Sequence, residues 1–340
     1  MAAVTGLPGE GAALAPSRAA VVFSGPAFGA RYTVRVVMVP GDDAENDRVR
    51  AAIDRQLALA DRVFSGWNPG SEVSRLNAHA SAGPLAVSAE LLDALALGRR
   101  ASELTEGAFD VTVLPLVEAW GFGPRAGPPV VPGKATLATL HGRVDYRLVG
   151  LDAAGRTVTK ARPDVACDLS ALAFGWTADR IAAALLALGH RDALVDVGGD
   201  VSARGRRPDG SLWRVAVETP EPGKVGAVLE VDGAAVATSG DYRRAWTDSK
   251  GRLRSHIVDP RTLEPIAHGL ASVTVVHRDG AWADALATGL LVLGPEPGRA
   301  LAARERLSAR FVLRQEDGRY GEWSTPAFEA LVAPPARPAP

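Results

Sequence analysis

The chain has 340 residues, 38 Lys+Arg against 39 Asp+Glu, and a formal net charge of −1. Balanced charge argues against an electrostatic grip on nucleic acid, which needs a basic surplus to displace counterions. The 47% hydrophobic and 23% charged fractions are ordinary for a globular chain with a sizeable core, and the single Cys167 excludes an intrachain disulfide or a multi-cysteine metal site.

Residues 1–20 carry neither a basic nor a continuous apolar segment and read as disordered; with no signal or lipid-anchoring cysteine, the expected location is cytoplasmic. No run of about 18 apolar residues suggests a membrane span. Val21 to Val39 reads as two strands about a Gly-Pro turn. Asp42 and Asp43 offer caps for a helix to about Val63, with Val49, Ile53, Leu57 and Ala60 at helical spacing. A loop from Ser65 to Asn77 follows, then a helix from Ser88 to about Leu104. The Gly/Pro-rich stretch 121–135 reads as an excursion from the main domain.

Strands are expected near 144–149 and 156–160, then a helix opened by Asp168 and Ser170 and closed by Gly189. ALVDVGGDVSARG reads as strand, Gly-Gly turn and strand, followed by strands near 213–218 and 226–231. A strand (ASVTVVH), an apolar helix over 283–293 and a strand near Phe311–Leu313 complete the domain, placed at 21–325; residues 326–340 read as a Pro-rich loose tail. Helices and strands alternate without a strict βαβ rhythm, so the fold class is α+β (mixed α/β).

Four features bear on chemistry. Asp284 and Thr288 stand at i and i+4 on an otherwise apolar helix. A buried carboxylate needs a partner, and no Lys or Arg on the helix supplies one; a hard divalent cation would, but a dipole-favoured Asp beside a core Thr fits the spacing too. Asp168 suits either a helix cap or a polar ligand contact. His256, between TSGDYRRAW and an apolar pair, suits a general base or a structural histidine. Gly198-Gly199 fits a tight hairpin better than a phosphate loop.

The order of these blocks carries more than any one of them. FGARY, FSGWNPGSEVSRLN, TEGAFDVTVLPLVEAWGFG, CDLSALAFGWTADRI, ALVDVGGDV, ATSGDY, HIVDPRT and ADALATG follow one another from about Phe28 to about Gly294. In this the sequence resembles the ApbE family of flavin transferases, which move FMN from FAD onto a threonine or serine of an acceptor flavoprotein. The resemblance implies an ApbE-like fold, a single large domain of two packed subdomains, with FAD as substrate and Mg²⁺ as cofactor. It implies metal contacts at the Ala171 carbonyl, Asp284 and Thr288. FAD contacts would fall on Phe28, Trp67, Ala108, Phe109, Asp110, Asp168, Phe174 and Ile257 beside His256, with His256 and Asp284 catalytic. The sequence departs from the family pattern at Phe28 and Ala30 (usually Met and Thr), Phe174 (usually Lys or Glu) and Leu263 (usually Gly). A Mg²⁺-dependent FAD pyrophosphatase and a non-catalytic FAD-binding protein are the competing expectations.

Overall fold

The computed structural model describes residues 17–81, 83–124, 127–315 and 317–334. Its frame is one eight-stranded sheet: β1 (Ala19–Ala27), β2 (Ala30–Met38), β3 (Ala193–Val197), β4 (Asp200–Arg204), β5 (Ala234–Gly240), β6 (Leu270–His277), β7 (Ser308–Arg314) and β8 (Tyr320–Ser324). The spatial order follows the chain order, and every neighbouring pair is antiparallel.

The helices sit in the connections. Between β2 and β3 come α1 (Asp43–Phe64), α2 (Glu72–Ala78), α3 (Ala89–Leu104), α4 (Leu114–Ala119), α5 (Lys134–His141) and α6 (Ser170–Ala187). Between β6 and β7 come α7 (Gly280–Leu293) and α8 (Pro295–Arg304), and α9 (Pro326–Glu329) follows β8. Asp42 caps α1 by accepting the Glu45 N–H at 3.0 Å, as its position before the apolar periodicity implies.

The central strands are buried on both faces, which is why β3 and β6 read as continuous apolar runs. One face packs on α1 and α6 through Val34, Val36, Val195, Val197 and Ile181, and on α7 and α8 through Val273, Val275, Leu286 and Leu290. The other face is covered by the hairpin Trp213–Glu218 with Val225–Val231 and by α9, meeting at Trp213, Leu229 and Phe328. α7 is the spine: it contributes Ala281 and Ala285 to a cluster with α3, and Leu286 to Leu291 to the cluster under the sheet. α6 crosses it closely, because a Cβ on either Gly175 or Gly280 would strike the other's carbonyl.

The structure alters several boundaries. β1 begins at Ala19, inside the segment expected to be disordered; residues 1–16 lie outside the described residues. The expected loop 65–77 contains α2, capped by Ser71, whose hydroxyl accepts from Ser74. The 121–135 excursion runs straight into α5, with residues 125 and 126 outside the described set. The expected loose tail is anchored: Phe328 is fully buried and Val332 bridges Leu229, while residues 335–340 are outside the described set. The apolar Phe-Glu-Ala-Leu-Val run just before the prolines is the signal for this, since it closes the core beneath β3 and β4. A short 3₁₀ turn (Tyr146–Leu148) and a strand (Val149–Asp152) replace the strand expected at 144–149.

Candidate functional site

α7 carries Asp284 and Thr288 on the face turned to β4, β5 and the start of α6. Asp284 is 7% exposed and Asp200, from β4, is 9% exposed. The two carboxyl groups face each other, and each opposes full ionisation of the pair. Burial pushes Asp200 up to about 7, opposed by hydrogen bonds from Asp284 and the Thr238 N–H. Burial is also the largest cause holding Asp284 well above the usual carboxylate range, and Asp200 adds to it. Asp284 Oδ2 has no hydrogen-bond partner among the described residues. Next to this pair the Thr288 hydroxyl is 2.7 Å from the Ser239 hydroxyl of β5.

Ala171 lies at a break in the first turn of α6: its φ/ψ of −83°/22° leaves the helical region one residue after the helix begins at Ser170. The backbone N–H of Gly175, whose ordinary helical partner is the carbonyl four residues back, hydrogen-bonds Asp284. The glycine crossing of α6 and α7 is what allows that approach. A kinked carbonyl, a hydroxyl and two buried carboxylates make a hard-oxygen donor set, and one carboxylate oxygen is orphaned. That chemistry fits a small divalent cation such as Mg²⁺. Among the described residues no group of three His, Cys, Asp or Glu side chains comes together, so any such site depends on main-chain and hydroxyl oxygens.

His256 stands at the end of a small hairpin, Ala245–Thr247 paired with Leu253–Ser255. Its backbone N–H and its ring Nδ1 both lie 3.0 Å from the Arg244 carbonyl. A carbonyl only accepts, so Nδ1 carries the proton and Nε2 is left as the basic nitrogen. Burial lowers the imidazole's pKa, and the neighbouring Asp241 and Asp168 oppose that shift. Phe122 packs edge-on to the ring at 6.3 Å. Asp241 is held bidentately by Arg314 at 2.6 and 2.7 Å.

Asp168 serves the local chain with one oxygen: Oδ1 accepts the Ser170 N–H at 2.8 Å. Its segment is fixed from outside, because the Asn77 side chain clamps both backbone groups of Cys167 at 2.7 and 2.9 Å. Phe28 and Phe174 meet edge-to-face at 5.9 Å, and Phe174 lies over Gly198. The Gly198-Gly199 pair is the hairpin turn between β3 and β4, with φ of 65° and 102°.

Ala108, Phe109 and Asp110 are buried at 2%, 4% and 7%. Their loop packs against α7 at Gly289, beside Thr288. Both Asp110 oxygens are engaged inside the protein, by the Thr112 N–H and hydroxyl and by the Tyr146 N–H. Trp67 is 69% exposed on the turn between α1 and α2. Ile257 is half-buried against the cluster around α7. Leu263, at the family's glycine position, adopts φ = 64°, and its carbonyl accepts the Trp120 indole N–H at 3.0 Å.

Asp200, Ser239, Asp241 and Phe122 are the site residues that sequence reasoning missed. Asp200 closes the GGD turn and had a usable signal: a carboxylate opening a strand that is otherwise buried.

Fold and site together give a buried carboxylate pair on the spine helix whose oxygens suit a hard cation, and an imidazole at the end of the small hairpin with its Nε2 free to act as a base: the equipment of an enzyme. The chain matches the ApbE family over residues 28–311. A FAD:protein FMN transferase of Vibrio cholerae is 37% identical over 315 residues, covering 92% of this chain and 93% of the relative. Its Escherichia coli K12 counterpart is 33% identical over 299 residues, covering 86% and 85%. Among solved structures, the Vibrio cholerae flavin transferase ApbE superposes with a TM-score of 0.83 at 36% identity, covering 92% of this chain and 99% of the other. The apo Pseudomonas stutzeri flavinyl transferase ApbE gives 0.84 at 36% identity, covering 92% and 97%. This chain belongs to the ApbE family, and it is a transferase.

Proposed function

We propose that this protein is an FAD:protein FMN transferase that places FMN on a threonine or serine hydroxyl of an acceptor flavoprotein and releases AMP. The observation that carries the reading is the buried Asp200–Asp284 pair with its unpartnered oxygen, one helical turn from Thr288 on α7; the kink at Ala171 in α6 supports a carbonyl contribution. Asp284, Thr288 and the Ala171 carbonyl would hold Mg²⁺, with Asp200 behind Asp284. Bound there, the metal supplies charge neutralisation to the FAD pyrophosphate.

The chain's own residues do the rest. His256 Nε2, left unprotonated because burial lowers the imidazole's pKa and made the basic nitrogen by the Nδ1–H bond to the Arg244 carbonyl, takes the proton of the acceptor hydroxyl. The hydroxyl oxygen forms a bond to the phosphorus on the riboflavin side. The bond from that phosphorus to the bridging oxygen breaks, and AMP departs with the bridging oxygen. Asp168 and the main chain of residues 108–110 position the nucleotide, because the side chains of that loop are committed inward. Phe28, Phe174 and the exposed Trp67 supply aromatic surface for the flavin.

Incubation with FAD, Mg²⁺ and a threonine-containing acceptor peptide, read by mass spectrometry, tests this. A peptide heavier by one FMN moiety supports it. Free FMN and AMP with every acceptor unchanged would replace it with a pyrophosphatase, and intact FAD with a binding protein.

A further inference from the structure

Residues 243–254 hold five cations, Arg243, Arg244, Lys250, Arg252 and Arg254, against the single carboxylate Asp248, in a chain whose net charge is −1. They form the small hairpin that ends at His256. It is a fixed platform. The Trp246 indole N–H donates to the Trp120 carbonyl at 3.1 Å, and the Arg254 guanidinium lies 5.2 Å from the Trp120 ring centre.

Asp248 is spent on the hairpin itself. It accepts the Lys250 and Arg252 N–H groups and pairs with buried Arg254 at 2.9 Å and with Arg252 at 3.1 Å. What remains outward is positive. Arg243, Arg244, Lys250 and Arg252 are all exposed. Arg243 pairs with the exposed Glu218 and lies 5.8 Å from the Tyr242 ring centre, and neither Arg244 nor Lys250 has an ion-pair partner among the described residues. Arg244 stands beside the base, since its own carbonyl holds the His256 ring. Lys250 is at the hairpin tip, roughly 10 Å further out at strand rise.

We propose that this basic hairpin is the docking surface for an acidic segment of the acceptor protein, laid along Lys250 and Arg244 so that its hydroxyl arrives at His256. The inference rests on the transferase reading and adds the charge of the partner to it. Complementary charge at the rim of a site speeds encounter and fixes register, and it weakens as salt screens it. FAD phosphates alone do not account for the tip, because a ligand seated at Asp284 has no need of Lys250.

The test uses the full chain and three fluorescent threonine peptides whose flanks are Asp/Glu, Asn/Gln or Lys/Arg. Anisotropy reads docking whether or not transfer follows. The acidic peptide should bind about tenfold more tightly than the neutral one, with the advantage shrinking as NaCl is raised. Lys250→Glu should raise the KM for the acidic peptide about tenfold while leaving FAD affinity and kcat at saturating peptide unchanged. Arg244→Glu should weaken peptide binding in the same direction. Equal binding of the three peptides, no binding of any, or a Lys250→Glu defect in FAD affinity would overturn the proposal. Salt-sensitive acidic docking with no transfer by the wild-type protein would instead sink the transferase reading and leave the docking surface standing.

Discussion

Asp200 and Asp284 meet in the interior from β4 and α7, two buried carboxyl groups with no Arg or Lys hydrogen-bonded to either among the described residues. Such a pair opposes folding unless a cation or a proton relieves it. Its position at the junction of sheet and spine helix marks where stability has been exchanged for function.

Asp284→Asn therefore separates the two. The variant should lose Mg²⁺-dependent FMN transfer by about a hundredfold or more, since a metal ligand is gone. Without metal it should be more stable than the wild type by about 1 kcal/mol, because the amide is buried without first taking up a proton from neutral solution, as the Asp284 carboxyl must. Calorimetry in EDTA and a transfer assay in Mg²⁺ check both halves; a lower melting temperature with full activity would refute the assignment.

The pH profile should report His256. Burial places its pKa below the ordinary 6.5, so the basic form dominates at neutral pH. Transfer should rise with pH on the acid side, through a midpoint under 6.5, and lie flat around 7. His256→Asn should lower kcat about 10²- to 10⁴-fold, abolish that acid limb and leave FAD affinity in place. Stopped assays across pH, with FAD titrations alongside, decide it.

Leu263 occupies a left-handed backbone position that costs a non-glycine residue about 1–2 kcal/mol, and it packs against the Trp120 cluster. Leu263→Ala keeps the strain and loses the packing, whereas Leu263→Gly loses both. The alanine variant should thus be the less stable of the two by about 1 kcal/mol in urea unfolding. The opposite order would show that the turn is not strained.

Cys167 is fully buried, and its thiol is pushed up to about 12, mainly by burial. Native protein should resist iodoacetamide at mildly alkaline pH while unfolded protein is alkylated, as intact-mass spectrometry will show. The neutral thiol is favoured in the folded state, so its contribution is complete below the ordinary thiol value of 9 and is lost as pH climbs from there toward 12. Cys167→Ala should flatten that alkaline loss.

Much of this was legible in the sequence where one local rule decided the outcome. The capped α1, the Gly-Gly hairpin and the buried α7 with its Asp284–Thr288 face all follow from spacing. The pairing of Asp284 with Asp200 did not, because it joins residues that only the packing of β4 against α7 brings together. The same holds for Phe122 over His256 and for Phe28 against Phe174. The spent carboxylate of Asp110 was equally hidden: its partner Tyr146 lies in a turn that propensity read as strand. Exposure of Trp67 carries no periodic signal at all.

The sheet's neighbour-to-neighbour order has a kinetic consequence. From β3 to β8 each strand can add to the one made just before it. β2, however, must wait for everything from Met38 to Ala193 to be synthesised before Val34 can pair with Val195. Closing so long a loop is slow. On the ribosome the first hairpin is thus an orphan with an open edge, and the Asp200–Asp284 pair assembles only after the C-terminal half has emerged.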